Sequence, residues 1–174
     1  LWQSDNHDAR ILAMRIADPK RADSDTLERW VRELGDYIVT DAFTEYVSRT
    51  PFMREKMETW TQSDEEWIST AGWGLLAHMA TKDETLDDDY FMGYLDIIRR
   101  DIHTRKNRTR YAMNTALICI GTRNDFLEEQ AIAAAKAIGK VEVDHGETSC
   151  QTPDAVSYIP KSREHRRKKE LKKA

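Results

Sequence analysis

At 174 residues and 20.2 kDa, the chain is long enough for one domain with a core that needs no disulfide or metal to hold it. A hydrophobic fraction of 40%, 33% charged residues, seven glycines and four prolines fit a helix-rich protein and argue against a turn-dense β-sandwich. No apolar run approaches the ~18 residues that span a bilayer, so no membrane partner is expected. The formal charge of −4 is unevenly spread. From Lys161 onward eight Lys or Arg face Glu164 and Glu170, while the other 160 residues hold 19 basic and 29 acidic groups. An acidic body of this kind does not coat nucleic acid indiscriminately, and any DNA contact is expected on one basic face plus the tail.

The sequence opens at Leu1 rather than Met and enters a helical pattern at once, which reads as a chain lacking its natural N-terminal segment. Neither a basic n-region nor an apolar stretch of signal-peptide type follows, and the cytoplasm is the expected location. Ser4 is a candidate cap for a first helix to about Ala17, with Ile11, Leu12 and Ile16 inward and Asp18-Pro19 ending it. Ser24 or Asp25 opens the next, whose inner stripe is Leu27, Trp30, Val31 and Leu34, with Gly35 as the stop. A third runs from about Tyr37 to Ser48. Thr50-Pro51 restarts a fourth that buries Phe52, Met53, Met57 and Trp60.

Ser63-Asp64-Glu65-Glu66 reads as a capping box before Trp67, Ile68, Ala71, Leu75, Leu76 and Met79. The acids Asp87–Asp89 start a helix in which Phe91, Leu95, Ile98 and Ile102 form one 3.6-residue stripe. Asn107 is a candidate cap for the following helix, with Tyr111, Ala112, Leu117 and Ile118 as apolar surface. Between these two helices lie six cations in the twelve residues from Arg99 to Arg110. Two readings stand: a phosphate site, where loop cations and helix N-terminal N–H groups converge, or a solvated hairpin that keeps the protein soluble. His103 likewise reads as a further contact or as a satisfied hairpin histidine.

Asp125 reads as the cap of an alanine-rich helix closed by Ile138-Gly139. The stretch from Gly139 to Cys150 is polar and turn-like, and Thr152-Pro153-Asp154 starts a last helix. Asp144, His145, Glu147 and Cys150 have ligand chemistry, yet no second Cys/His pair stands at zinc-finger spacing. A buried loop satisfying backbone N–H groups is the expected role, with no metal and no cofactor. Cys119, inside the apolar run Ala116–Ile120, reads as a buried reduced thiol.

Second helices of a pair begin near Ser63 and Asn107, 44 residues apart, within the ~40–47-residue period of HEAT and armadillo arrays. The expected fold is all-α, a HEAT/armadillo-like α-solenoid of stacked helix pairs over residues 1–160. Residues 161–174 form a basic tail, either disordered or a frayed helix extension, that either speeds DNA association or only solubilises.

Four segments carry a resemblance: His7–Pro19 (HDARILAMRIADP), Tyr37–Asp41 (YIVTD), Asn107–Asn114 (NRTRYAMN) and Lys140–Cys150 (KVEVDHGETSC). They resemble a bacterial DNA alkylation repair family, HEAT-like-repeat proteins related to the AlkD type of alkylpurine DNA glycosylase, with the match running to about Ile159. The resemblance implies a solenoid gripping double-stranded DNA on a basic concave face. It also implies, for active members, hydrolysis of the N-glycosidic bond of cationic 3- or 7-alkylated purines. Such a base leaves neutral, so no strong general acid is needed, but the oxocarbenium sugar requires a carboxylate and a placed water. Asp41 aligns with the family's catalytic Asp and Tyr37 with its Trp, one turn apart on a helix face; the alternative role for Asp41 is to cap the following helix. Arg105, Lys106, Arg108 and Arg110 are the expected phosphate contacts. Thr70 aligns where the glycosylases carry an Arg and Thr115 where they carry a second Trp, so a phosphate anchor and an aromatic wall are missing. Trp73, one turn after Thr70, either fills part of that space on the DNA face or packs in the core. The alternative function is a non-catalytic helical-repeat scaffold that binds DNA structures or a protein partner.

Overall fold

The computed structural model describes the backbone of residues 1–171 and side chains through Lys168. Among the described residues there are nine α-helices and no β-strand: α1 (His7–Ile16), α2 (Ser24–Arg32), α3 (Tyr37–Val47), α4 (Met53–Trp60), α5 (Glu66–Lys82), α6 (Asp88–Asp101), α7 (Asn107–Gly121), α8 (Asp125–Ile138) and α9 (Ala155–Leu171). The odd-numbered helices lie side by side in order, α1 on α3, α3 on α5, α5 on α7 and α7 on α9. The even-numbered ones back this row: α2 and α4 against α5, α6 against α7 and α8, and α8 against α7 and α9. This is the stacked-pair α-solenoid expected from the 44-residue spacing.

Helix starts are set by short polar side chains, often one residue from the expected position. Asn6, not Ser4, caps α1 by accepting from Ala9 N, and Asp23 caps α2 by accepting from Thr26 N. Asn124, not Asp125, caps α8. Ser63, three residues ahead of α5, accepts from Glu65 N, the N-cap residue, so no capping box forms there. Asn107 caps nothing: Lys106 holds the N-cap position of α7, and the Asn107 amide pairs with the backbone N–H and C=O of Asp144.

The core follows the predicted stripes closely. Phe91, Leu95, Ile98 and Ile102 are all buried, as are Leu27, Val31, Met57 and Trp60. The exception is α1, where Met14 and Ala13 are buried while Leu12 and Ile16 are exposed. Helix α1 packs on α3 and on the short turn Trp2–Ser4, and Leu12 and Ile16 stay outside these contacts.

Two glycines let α4 and α3 close tightly on α5. A Cβ at Gly72 would lie 2.5 Å from Thr61 N and 2.6 Å from Trp60 C, so α5 touches the end of α4 backbone to backbone. A Cβ at Gly74 would lie 2.9 Å from Thr44 Cγ2 on α3. Arg123, in the turn before α8, ties the other end of α5 by donating to the carbonyls of Ala80, Asp83 and Leu86.

The segment after α8 is not the buried loop expected. Most of its side chains are exposed, with Val141, Val143 and His145 turned partly inward. Asp144 Oδ1 accepts from Gly146 N, where φ is +64°, and His145 Nε2 lies 3.0 Å from Thr152 Oγ1. Beyond it α9 passes residue 160 without a break, and Arg163 is buried against Glu128 and Asp125 of α8. The basic tail is therefore helical and packed through this point rather than frayed; Lys172–Ala174 lie outside the described residues.

Candidate nucleic-acid interface

The side of the odd-numbered row that faces away from the even-numbered helices is grooved. One hollow, of about 520 Å³, is bordered by Asp41, Thr44 and Glu45 of α3, by Gly74, Ala77, His78, Thr81 and Lys82 of α5, and by Thr115 and Cys119 of α7. Helical spacing explains the set. Residues 41, 44 and 45, then 74, 77, 78, 81 and 82, then 115 and 119 each follow three- and four-residue steps along one helix face.

Asp41 sits mid-helix, and the cap of α3 is Asp36, which accepts from Ile38 N and Val39 N. The helix that follows, α4, has Phe52 at its N-cap and no side-chain cap, so Asp41 does not cap it either. Water reaches its carboxylate, yet the concave surround withdraws part of its hydration. Burial accordingly pushes the Asp41 carboxyl above the usual carboxylate range, against the opposing pull of Arg108. Opposite it, burial and the nearby Lys82 ammonium hold His78 below the usual imidazole value.

Arg108 is the cation that meets this face. Its guanidinium lies 4.6 Å from the ring centroid of Tyr37 and 5.2 Å from that of Tyr111. Residues 108, 111 and 115 share one face of α7, which carries the cation toward the groove. Its backbone N–H is taken by Glu66 Oε1 at 2.7 Å, so this part of the α7 N-terminus is occupied by a carboxylate of the protein rather than open to phosphate. Among the described residues no carboxylate is ion-paired with the side chains of Lys106, Arg108 or Arg110, in contrast to Arg105.

The predicted residues are only partly brought together. Tyr37 is 45% exposed and its ring lies beneath Arg108. Lys106 is exposed at the α7 N-cap. Arg105 is turned away, donating to Ser63 O and Asp64 Oδ1. Arg110 is half-buried on the opposite side of α7 from Arg108, where its charge acts on Glu142. Thr70 is buried, its hydroxyl donated to Glu66 O at 2.7 Å. Trp73 does not reach the surface: it is fully buried, edge-on to Tyr94, because position 73 of α5 points at α6. His103 is satisfied by Ile138 O at 2.8 Å. Thr115 does line the groove, with its hydroxyl folded back to Tyr111 O. Cys119 is free and partly buried, and that burial raises its thiol pKa; Cys150 is free and exposed.

Several lining residues escaped the sequence reading. His78 and Lys82 were legible only once the register of α5 was known. Tyr158, Ser162 and Arg166 repeat every four residues, a signal hidden by treating residues past 160 as a tail.

A family model described as DNA alkylation repair enzyme matches residues 1–159. The chain belongs to that family. It is 32% identical over 169 residues to the uncharacterized protein Lmo0209 of Listeria monocytogenes, covering 94% of this chain and 71% of the relative. Lin0241 of Listeria innocua, also uncharacterized, is 32% identical over 167 residues with the same coverage. A solved structure superposes with a TM-score of 0.86 at 26% identity, over 96% of this chain and 72% of the other. It represents a new family of proteins related to the HEAT-like repeat DNA glycosylases with affinity for branched DNA structures. The fold of this family member is thus HEAT-like. Among its described residues no helix is long and apolar enough to cross a membrane, and no three His, Cys, Asp or Glu side chains converge as a metal site.

Proposed function

We propose that this DNA alkylation repair family protein binds DNA along the groove crossed by α3, α5, α7 and α9, as a cytoplasmic reader of branched or distorted double-stranded DNA. The observation that carries the reading is Arg108, a guanidinium that is ion-paired with no carboxylate among the described residues, held between Tyr37 and Tyr111 on the face that also bears Asp41. A cation fixed in this way reaches a phosphate with little further loss of side-chain freedom. Lys106 adds charge beside it. The affinity of the HEAT-like structural relative for branched DNA supports a shape-directed rather than sequence-directed mode.

Asp41 favours a second reading, hydrolysis of the N-glycosidic bond of cationic alkylated purines. It is a carboxylate in a concavity, where a developing oxocarbenium ion is stabilised more strongly than in bulk water. The aromatic side of that chemistry is weaker. Tyr37 is already covered by Arg108, and Thr115 offers a methyl group where the glycosylases carry an indole.

The two readings separate in one experiment. The full-length protein is titrated against a three-way junction and a continuous duplex, and assayed for release of 7-methylguanine and 3-methyladenine from methylated duplex. Binding that favours the junction, without base release, is the expected result. Release abolished by Asp41→Asn establishes the second reading, and no DNA binding at all contradicts both.

A further inference from the structure

Where α9 crosses the open face beside α7 there is a second hollow, of about 330 Å³. Tyr111 and Thr115 of α7, Thr81 of α5, and Tyr158, Ser162 and Arg166 of α9 border it. Thr81, Thr115 and Cys119 line this hollow and the Asp41 hollow alike, so the two are neighbouring compartments of one groove. Thr115 stands between them. Its hydroxyl donates to Tyr111 O at 3.0 Å, and the side chains shared by the two hollows, Thr81, Thr115 and Cys119, are all small.

Tyr158 differs from every other ring near the groove. Tyr37 and Tyr111 hold Arg108, and Tyr111 also meets His145 edge-on at 5.5 Å. Tyr158 is 48% exposed and, among the described residues, stacks on no ring and carries no cation. An exposed tyrosine commonly keeps its hydroxyl in water, but here the residue sits at the edge of a concavity with a cation at its rim. Arg166 reaches across from α9 to α5, its Nη2 3.4 Å from Thr81 O.

An open aromatic face, hydroxyls able to meet base edges and a nearby guanidinium are the chemistry that accepts a base taken out of a stack. The volume lies at the lower end of ligand pockets, ~300–1,000 Å³, which suits one nucleobase rather than a duplex. We infer that this hollow receives an unpaired nucleobase from distorted DNA, with Tyr158 as the stacking face and the small Thr115 side chain leaving the way in open. The inference rests on the DNA-binding function proposed above and adds to it the feature that is recognised. An unpaired base occurs at a bulge or a branch point, whereas a continuous duplex presents none.

The test is fluorescence anisotropy with two duplexes of equal length, one carrying a single-nucleotide bulge, using wild type, Tyr158→Ala, Tyr158→Phe and Thr115→Trp. The wild type is expected to prefer the bulged duplex. Tyr158→Ala loses about tenfold on the bulged duplex, the scale of one base–aromatic stack, and leaves the continuous duplex unchanged. Tyr158→Phe keeps the preference because the ring remains. Thr115→Trp, which narrows the passage, loses it. An undiminished preference in Tyr158→Ala overturns the base site while leaving DNA binding in place. Absence of DNA binding by the wild type overturns both.

Discussion

At Asp41 the groove makes stability depend on pH. Its carboxyl is raised by burial in the groove above its ordinary value of 3.8. Below 3.8 both folded and unfolded chains hold the proton and nothing is lost. As pH rises through the folded-state value, the folded chain gives up its proton less readily than the unfolded chain, and stability declines. At neutral pH the anion therefore costs stability. Asp41→Asn is expected to raise the melting temperature at pH 7, with the gain shrinking as the pH approaches 3.8. A variant less stable than wild type at pH 7, measured by thermal unfolding, contradicts the raised value. The neighbouring Arg108 limits the size of the effect, since its charge favours the same anion.

At the scale of elements, α2 is fastened to α4 by a partly buried ionic cluster. Lys56 is 3% exposed and its ammonium meets Ser24 Oγ at 2.6 Å, Glu28 Oε1 at 2.9 Å and Glu55 Oε1 at 3.0 Å. Trp60 Nε1 donates to the same Glu28 oxygen. Burial alone would lower the Lys56 pKa, yet the bonds to Glu28 and Glu55 more than offset it and the net shift is upward. Removing one partner of a buried pair strands the other, while replacing the buried cation with an apolar side chain is often tolerated. Glu28→Ala is expected to destabilise by about 2 kcal/mol, below the usual range for buried pairs because Glu28 is one-third exposed to screening water. Lys56→Met is expected to cost less, and urea titration of both variants checks the order; the reverse order contradicts this account of the cluster.

Gly72 gives a second test at the same scale. A methyl group there meets backbone atoms of Trp60 and Thr61 that have no rotamer to yield. Gly72→Ala is expected to cost about 1–3 kcal/mol of overpacking, seen as a fall in melting temperature of ~2–4 °C per kcal/mol for a chain of this size. Gly93→Ala, with nothing within 4 Å, is the control and should be neutral or stabilising. A Gly72→Ala variant as stable as wild type would contradict the close contact between α4 and α5.

For the whole molecule, the stacked-pair architecture was legible because it rests on apolar periodicity, and Phe91, Leu95, Ile98 and Ile102 show that signal at its clearest. That Asp41 and Tyr37 lie one turn apart on α3 was legible from their spacing, but not that Asp41 opens onto a hollow shared with α5 and α7. Nor was the division of the basic run. Adjacent cations on a helix point in different directions, and which way they point depends on the register of α7 against α5. That register turns Arg105 to Asp64, Arg110 toward Glu142 and Arg108 to the two tyrosines. The choice between the groove and the core for Trp73 stayed open for the same reason, since no composition signal marks which side of an apolar helix is covered; it packs in the core. The end of the fold was misjudged because a basic stretch looks like a solvated tail until Arg163 is seen buried against Glu128.

The central claim is that Arg108, poised over Tyr37 and Tyr111, delivers this groove to the phosphate backbone. The most direct measurement is the salt dependence of affinity for a DNA three-way junction, wild type against Arg108→Gln. Each neutralised phosphate contributes about 0.9 to the slope of log affinity on log salt. The wild type should weaken steeply from 50 to 200 mM salt, and the variant should bind less tightly with a slope shallower by about 1. Affinity independent of salt, or an Arg108→Gln variant indistinguishable from wild type, would contradict the account.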